Sequence, residues 1–422
     1  MAAVSAADTA WVLVCAALVL FMAPGLALFY GGMVRSKHVL AIMAQVFGAA
    51  AVVSLLWALV GHSLAFGPDH GRLLGDLHLA GLGHAGDAIP GFPHLAAAPQ
   101  AFTVFQMMFA VITAALLAGA GADRMHFGSF LLFVGAWVLL VYAPLAHWVF
   151  SPNGWLAHLG VLDFAGGTVV ETNSGASALA LCLVLGARRG WPREQMAPHS
   201  LPLTLVGAGI LWFGWIGFNA GSALAVGGLA AQAALSTHLA GCAGLLGWLL
   251  VEKLQTRHST TLGAASGAVA GLVAITPAAG YVNALGAIVI GFLGGVVSVF
   301  AVEQKVHRGY DDSLDVVGVH GVAGVVGTLL VGVFATRTVN AGVPHTGLLD
   351  GGGMHLLGLQ ALAVVVTVAW AFPLTYAIAA LVQRTARLRV PHDAELEGLD
   401  TYIHAESAYD IGSRRVAGRM GA

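Results

Sequence analysis

Charged side chains are scarce in this chain: Asp, Glu, Lys and Arg make up only 9% of its 422 residues. Soluble domains carry about 25%, so the sequence does not describe a water-soluble globule with a large core. Cysteine is scarce too. Cys15, Cys182 and Cys242 all fall in apolar stretches, without disulfide or zinc-type spacing, and read as small packing residues. No basic run offers a nucleic-acid surface, and the net charge of −2 says nothing about partners. Strand-sized segments of alternating polarity are missing, which argues against an outer-membrane barrel. The N-terminal stretch lacks a basic leader region, so it reads as a retained first span rather than a cleaved signal.

What is abundant is apolar: 58% of the residues are hydrophobic and the mean hydropathy is +0.84. The apolar segments run to about 20 residues, enough to cross about 30 Å of hydrocarbon as helices. Eleven windows emerge, at 10–31, 40–66, 101–122, 127–150, 165–186, 200–219, 225–252, 259–277, 281–301, 316–335 and 355–383. The expected fold is an all-α polytopic membrane protein with eleven transmembrane helices. The 57 glycines fit helices that approach through small faces such as "GAASGAVAG". With the N-terminus outside, sixteen of the 18 Lys and Arg residues fall on the cytoplasmic side, Arg414, Arg415 and Arg419 of the tail among them. Only Arg72 and Arg337 fall outside, which is a strong positive-inside signal. Residues 1–385 form the transmembrane domain and 386–422 a cytoplasmic tail whose charge content, taken alone, reads as a solvated extension.

A faint repeat is visible. Asp163 precedes "FAGGTVV" in the fifth span, and Asp315 precedes "VVGVHGVAGVVG" in the tenth. Five spans separate them, so the two helices run in opposite senses, as in inverted-repeat transporters.

Inside these two spans lie the most informative titratable side chains, Glu171 and His320. A carboxylate near the bilayer centre costs about 2.5–3.5 kcal/mol on insertion scales, and such groups are by default functional candidates. At comparable depth in inverted partners, Glu171 and His320 can satisfy each other and exchange protons as one unit; the bland reading is that they only lock the two helices together. Asp163 and Asp315 precede their helices and read first as N-terminal caps, with cation attraction a second reading for Asp163. "FQMMFAVIT" puts Phe105 and Phe109 one turn apart, and "WFGWIGFNAGS" puts Trp212, Trp215 and Phe218 ahead of Ser222. Aromatic faces attract cations, although core packing is the default for membrane aromatics. His147 and His238 read as packing histidines, and His84 and His94 lie in a Gly/Pro-rich outer loop.

The stretches "ALFYGGMVRSKHVL", "DFAGGTVV", "WFGWIGFNAGSA", "LGAASGAVAGLVAITPAAG" and "DDSLDVVGVHGVAGVVGT" together resemble the ammonium transporter (Amt/Mep/Rh) superfamily over nearly the whole chain. The resemblance implies an inverted five-plus-five repeat plus a long last helix, assembled as a homotrimer in the cell membrane, with a pore in each subunit. It implies no enzyme activity, cofactor or metal. By resemblance, Phe109 and Phe218 are the stacked outer gate. Ser222, the Ala165 carbonyl, Gln106 and Phe150 belong to the outer ammonium site, Asp163 shapes that site, and Trp215 lines the lower pore.

Two positions depart from the usual family pattern. Phe150 stands where the family usually has Trp, which keeps a π face but loses the indole N–H and the stronger cation attraction. Trp148 lies about 200° around the helix from it and does not substitute. Glu171 stands where the family usually has the first of two touching histidines, with His320 as the second; a subset of the family, best known among fungal transporters, has glutamate there. The implied mechanism recruits ammonium outside, removes a proton beyond the phenylalanines and conducts ammonia, with the proton passing along Glu171 and His320. Potassium, which has no proton to surrender, is rejected. The tail segment "RVPHDAELEGLD…HAESAY" is similar to the part that responds to a PII-type signalling protein, which replaces the passive-tail reading. The rival readings are an ammonium sensor, an Rh-type channel for neutral gas, and an intramembrane metallo-enzyme that lacks a convincing third ligand.

Overall fold

The computed structural model describes residues 4–409, so Arg414, Arg415 and Arg419 lie outside the described residues. The apolar windows become helices: α1 (Ala6–Met33), α2 (Val39–Phe66), α3 (Pro99–Ala120), α4 (Phe127–Leu159), α5 (Gly167–Leu185), α6 (Leu201–Gly221), α7 (Gly228–Thr256), α8 (Thr261–Ile275), α9 (Ala284–Arg308), α10 (Val317–Phe334) and α11 (His355–Ala386). Among the described residues, ten of these are long and apolar enough to cross a membrane. The exception is α8, whose 15 residues span about 22 Å at 1.5 Å per residue. Nearly all of its side chains are buried, as expected of a helix that is apolar all round. The chain is a multi-pass membrane protein.

Small residues set how closely the helices pack. α6 lies along α1, and a Cβ on Gly207 would stand 2.2 Å from the Phe29 backbone nitrogen, so this contact admits only glycine. α7, α8 and α9 form a second tightly packed group, while α11 lies at the periphery with many apolar side chains exposed.

One end of the bundle is tied by buried ions. Arg188 grips Asp311 with Nε and Nη2 at 2.9 and 2.8 Å, and Arg124 donates to Ser313 Oγ and the Asp311 carbonyl at 2.5 and 2.6 Å. Burial works to raise the Asp311 carboxyl, but the hydrogen bonds and charge of the two arginines overcome it and hold the group below its ordinary range. The tail folds back over this end instead of extending into water. The His126 N–H donates to the Leu388 carbonyl at 2.8 Å, and the Val390 N–H to the Arg124 carbonyl at 3.0 Å. Two short helices follow, α12 (His392–Glu397) and α13 (Leu399–His404). Glu395 accepts from Arg389 and from the Arg189 N–H at 2.6 and 3.0 Å. Asp400 accepts from the Ala41 N–H at 2.8 Å and so caps the start of α2. The solvated reading of the tail's charges therefore needs correction: Glu395 and Asp400 are buried because helix-end N–H groups and arginines supply their partners.

A candidate conduction path through the bundle

The site is built from the starts of α5 and α10. The Asp163 carboxylate accepts from the Gly166 and Gly167 N–H groups with Oδ1, both at 2.7 Å. Its Oδ2 accepts from the Thr168 N–H at 2.8 Å and from the Thr168 hydroxyl. Four donors at the mouth of a helix make this a cap in the full sense. Gly166 sits at φ +116°, where a side chain would be strained and would also run into Val170. No hydrogen bond reaches the Ala165 carbonyl among the described residues, and Ala165 is fully buried.

Both helices open with a π turn, Gly167–Thr172 in α5 and Val317–Val322 in α10. Such turns carry an extra residue and recur at functional sites. Here they present Glu171 and His320, and the two side chains meet: His320 Nδ1 lies 2.8 Å from Glu171 Oε2. Both residues are buried, at 1% and 5% exposure, and His320 Nε2 has no hydrogen-bond partner among the described residues. The helices can come this close because glycines face each other at the crossing. A Cβ on Gly175 would stand 2.1 Å from Gly321 Cα, and one on Gly324 would stand 2.6 Å from Glu171 Cβ.

The expectation that Asp315 caps α10 is not met. Asp312 takes that place, accepting from the Val317 N–H at 2.7 Å. Asp315 has φ +64°, which turns the chain, and its carboxylate pairs with Lys305 instead. Burial, and then the negative charge of Asp315, push the Asp312 carboxyl up to about 6.

Beside Glu171 and His320 lies a void of about 10 Å³, lined also by Leu26, Ile112, Trp215 and Phe218. That is about the smallest space that holds one water-sized molecule. The Trp215 indole N–H donates to Thr276 at 2.8 Å, which fixes the ring against the void. Above it, Phe109 and Phe218 stack with ring centroids 4.0 Å apart and planes 15° apart. Phe105 leans on Phe109 at 4.8 Å.

On the other side of this aromatic pair, at the end of the bundle away from the tail, opens a vestibule of about 430 Å³. Gln106, Phe109, Phe150, Asp163 and Ser222 all line it. Ser222 donates its hydroxyl to the Phe218 carbonyl at 2.9 Å, which leaves the oxygen lone pairs to accept. Gln106 Oε1 is buried without a partner. Phe150 meets Phe109 edge-on at 6.2 Å. Trp148 points elsewhere: its indole donates to the Leu73 carbonyl at 2.7 Å, and its ring packs on Trp155 and Trp370. His147 is fully bonded, to the Ala65 carbonyl and Asp69 at 2.9 Å each.

Sequence reasoning missed Phe92 and Tyr281, which also line the vestibule. Phe92 lies in a Gly/Pro-rich loop with no periodicity to mark it. It also missed Gln360, which accepts from the Leu162 N–H and donates to the Leu162 carbonyl at 2.9 and 2.7 Å, anchoring the segment before Asp163 to α11. A buried amide in the second turn of an apolar helix was its only signal.

A bundle of apolar helices around a narrow interior, with a polar vestibule and an aromatic barrier, defines a membrane protein that passes a small solute. The Ammonium Transporter Family profile matches residues 10–409. The chain is 48% identical to an ammonium transporter of Mycobacterium tuberculosis (strain ATCC 25618 / H37Rv) over 431 residues, covering 96% of this chain and 90% of that one. Among solved structures, Saccharomyces cerevisiae Mep2 is similar with a TM-score of 0.86 and 34% identity, over 93% of this chain and 91% of that one. A structure titled "Sensor Amt Protein" gives 0.86 and 30%, over 94% and 98%. The chain belongs to the ammonium transporter family, and ammonium transport is its function.

Proposed function

We propose that the vestibule recruits ammonium, that the cation gives up a proton at the phenylalanine pair, and that ammonia continues past Glu171 and His320 while these two relay the proton. The observation that carries this reading is the 2.8 Å contact between His320 and Glu171 beside a void of about 10 Å³. An acid and an imidazole in hydrogen-bond contact, with the second imidazole nitrogen unengaged, can take a proton at one end and release it at the other. Space for one small molecule suits ammonia and excludes a hydrated cation.

In the vestibule, Ser222, Gln106 and the Ala165 carbonyl are the acceptors for ammonium N–H groups. Phe150 supplies a π face, Phe109 and Phe218 form the gate, and Trp215 lines the path below. Asp163 holds the Ala165–Thr168 backbone in place and adds negative charge nearby, and Asp315 supports the start of α10 through Lys305. The Lys and Arg distribution supports placing the protein in the cell (cytoplasmic/inner) membrane with the vestibule outside and the tail, residues 386–422, in the cytoplasm. Eleven spans follow if α8 is counted as one, and the matched π turns of α5 and α10 support an inverted five-plus-five repeat. A homotrimer, PII contact at the tail and the lack of enzymatic activity come from the family likeness.

The test is Glu171→His in proteoliposomes, with ammonium-evoked current measured from pH 5 to 8 against ammonium and potassium. The carboxylate should set a more acidic working range for the wild type than for the variant. Identical pH profiles and identical ammonium-to-potassium preference would remove Glu171 from the relay.

A further inference from the structure

The connection between α2 and α3, residues 67–98, carries a set of side chains the transport path does not use. His78, His84 and Asp87 each turn one ligand atom inward, and these atoms all lie within 4.8 Å of one another. His84 Nδ1 and Asp87 Oδ2 are 3.3 Å apart. The His78 and His84 rings lie nearly parallel with centroids 4.4 Å apart.

The backbone around them is pinned on both sides. Asp76 accepts from the His78 N–H at 2.8 Å, and the Leu79 N–H donates to Ser63 Oγ of α2 at 2.9 Å. The Ala80–Leu82 turn follows. The Asp87 N–H then bonds the His84 carbonyl at 2.9 Å, so the donors His84 and Asp87 share one turn. Five residues further on, Phe92 packs against Phe66 and Phe102 and lines the vestibule. The His84 and Asp87 side chains are 53% and 61% exposed, which leaves room for water ligands.

We propose that His78, His84 and Asp87 form a binding site for a divalent transition-metal ion of the zinc type. Two imidazoles and one carboxylate suit Zn²⁺, Ni²⁺ or Cu²⁺, whereas Mg²⁺ and Ca²⁺ require mostly oxygen ligands. Ligands about 2.1 Å from a tetrahedral Zn²⁺ stand roughly 3.4 Å apart. The His84–Asp87 pair already has that spacing, and His78 reaches it by rotating an exposed side chain. Three protein ligands leave a fourth position for water. The bound ion links the Ala80–Leu82 turn to the chain leading into Phe92, so it tightens the loop that forms one wall of the vestibule. The site stands on its own donors and is independent of how the pore handles protons.

The experiment is calorimetric titration of full-length, tag-free protein in detergent with ZnCl₂, with MgCl₂ in parallel. The expected result is one tight Zn²⁺ equivalent per chain and none for Mg²⁺, with His84→Ala and Asp87→Ala each weakening Zn²⁺ binding at least tenfold. His94→Ala, which removes a loop histidine outside the cluster, should change nothing. Zn²⁺ should also slow amide exchange across residues 78–87 in the wild type and not in His84→Ala. Zn²⁺ uptake that is the same in wild type and in the triple variant H78A/H84A/D87A overturns the proposal, and so does Mg²⁺ binding as tight as that of Zn²⁺.

Discussion

Removing the Asp163 carboxylate is the perturbation whose cost the geometry defines best. Its two oxygens divide the work: Oδ1 serves the Gly166 and Gly167 N–H groups, and Oδ2 serves Thr168 through its N–H and hydroxyl. Asp163→Ala leaves three buried N–H groups without an acceptor, at about 1–3 kcal/mol each. Some of this is recovered because no carboxylate needs desolvation, so the net loss is roughly 3–6 kcal/mol. Asp163→Asn retains one acceptor oxygen and turns an NH₂ group toward the remaining donors, so it should fall near halfway. An unfolding entropy of about 2.1 cal/mol/K per residue converts the Ala loss into a fall of roughly 3–7 °C for a chain of this length. Thermal unfolding in detergent, followed by intrinsic fluorescence, gives the midpoints. The order wild type, Asn, Ala should also appear in the half-saturating ammonium concentration, because the cap positions the Ala165 carbonyl. An Ala variant melting within 1 °C of wild type, or an Asn variant melting below Ala, would refute the cap argument.

Three further outcomes are expected. Phe150→Trp gives the vestibule a stronger π face, worth about 0.5–1 kcal/mol, and should lower the half-saturating ammonium concentration two- to fivefold in current measurements; a rise would contradict a cation-facing role. Gly175→Ala forces a methyl group into the Gly321 backbone, at a cost of about 1–3 kcal/mol. It should reduce both melting point and transport, and normal transport would mean that the crossing tolerates separation. Asp312 titrates near 6 in the fold, above the ordinary value of about 3.9, so folding favours its protonated form. Its contribution is full below about pH 4 and declines as pH rises through 6. Asp312→Asn should therefore gain on wild type in melting point between pH 4 and 6.5, and a constant gap would show that Asp312 does not titrate in that interval.

Much of this architecture was legible in the residues because lipid imposes simple demands. Apolar runs had to be helices, and Glu171 and His320, placed at similar depth in opposed helices, had few other partners to find. Asp163 read correctly as a cap because an acidic residue two or three places before an apolar run has helix-end N–H groups within reach. The same logic applied at α10 chose the wrong aspartate. Asp312 and Asp315 are three residues apart, and only the left-handed turn at Asp315 decides which one faces the helix end. The tail misled by composition, since carboxylates such as Glu395 and Asp400 look solvated until their partners are known: Arg389 and the Arg189 N–H for the first, the start of α2 for the second. The vestibule walls contributed by Phe92 and Tyr281 come from connections whose path no periodic pattern encodes.

The π turns at Gly167–Thr172 and Val317–Val322 bear on how such chains can change length. Losing one residue in either segment would not break the helix, since the wide turn could tighten to an ordinary one. The helix beyond would keep its facing, because the wide turn absorbs the extra residue, but the side chains inside the turn itself would be re-aimed, and either the carboxylate or the imidazole would leave its partner. A one-residue deletion inside either stretch would thus cost the contact between Glu171 and His320 while sparing the scaffold on both sides of it, so the proton pair could be lost without the bundle being lost.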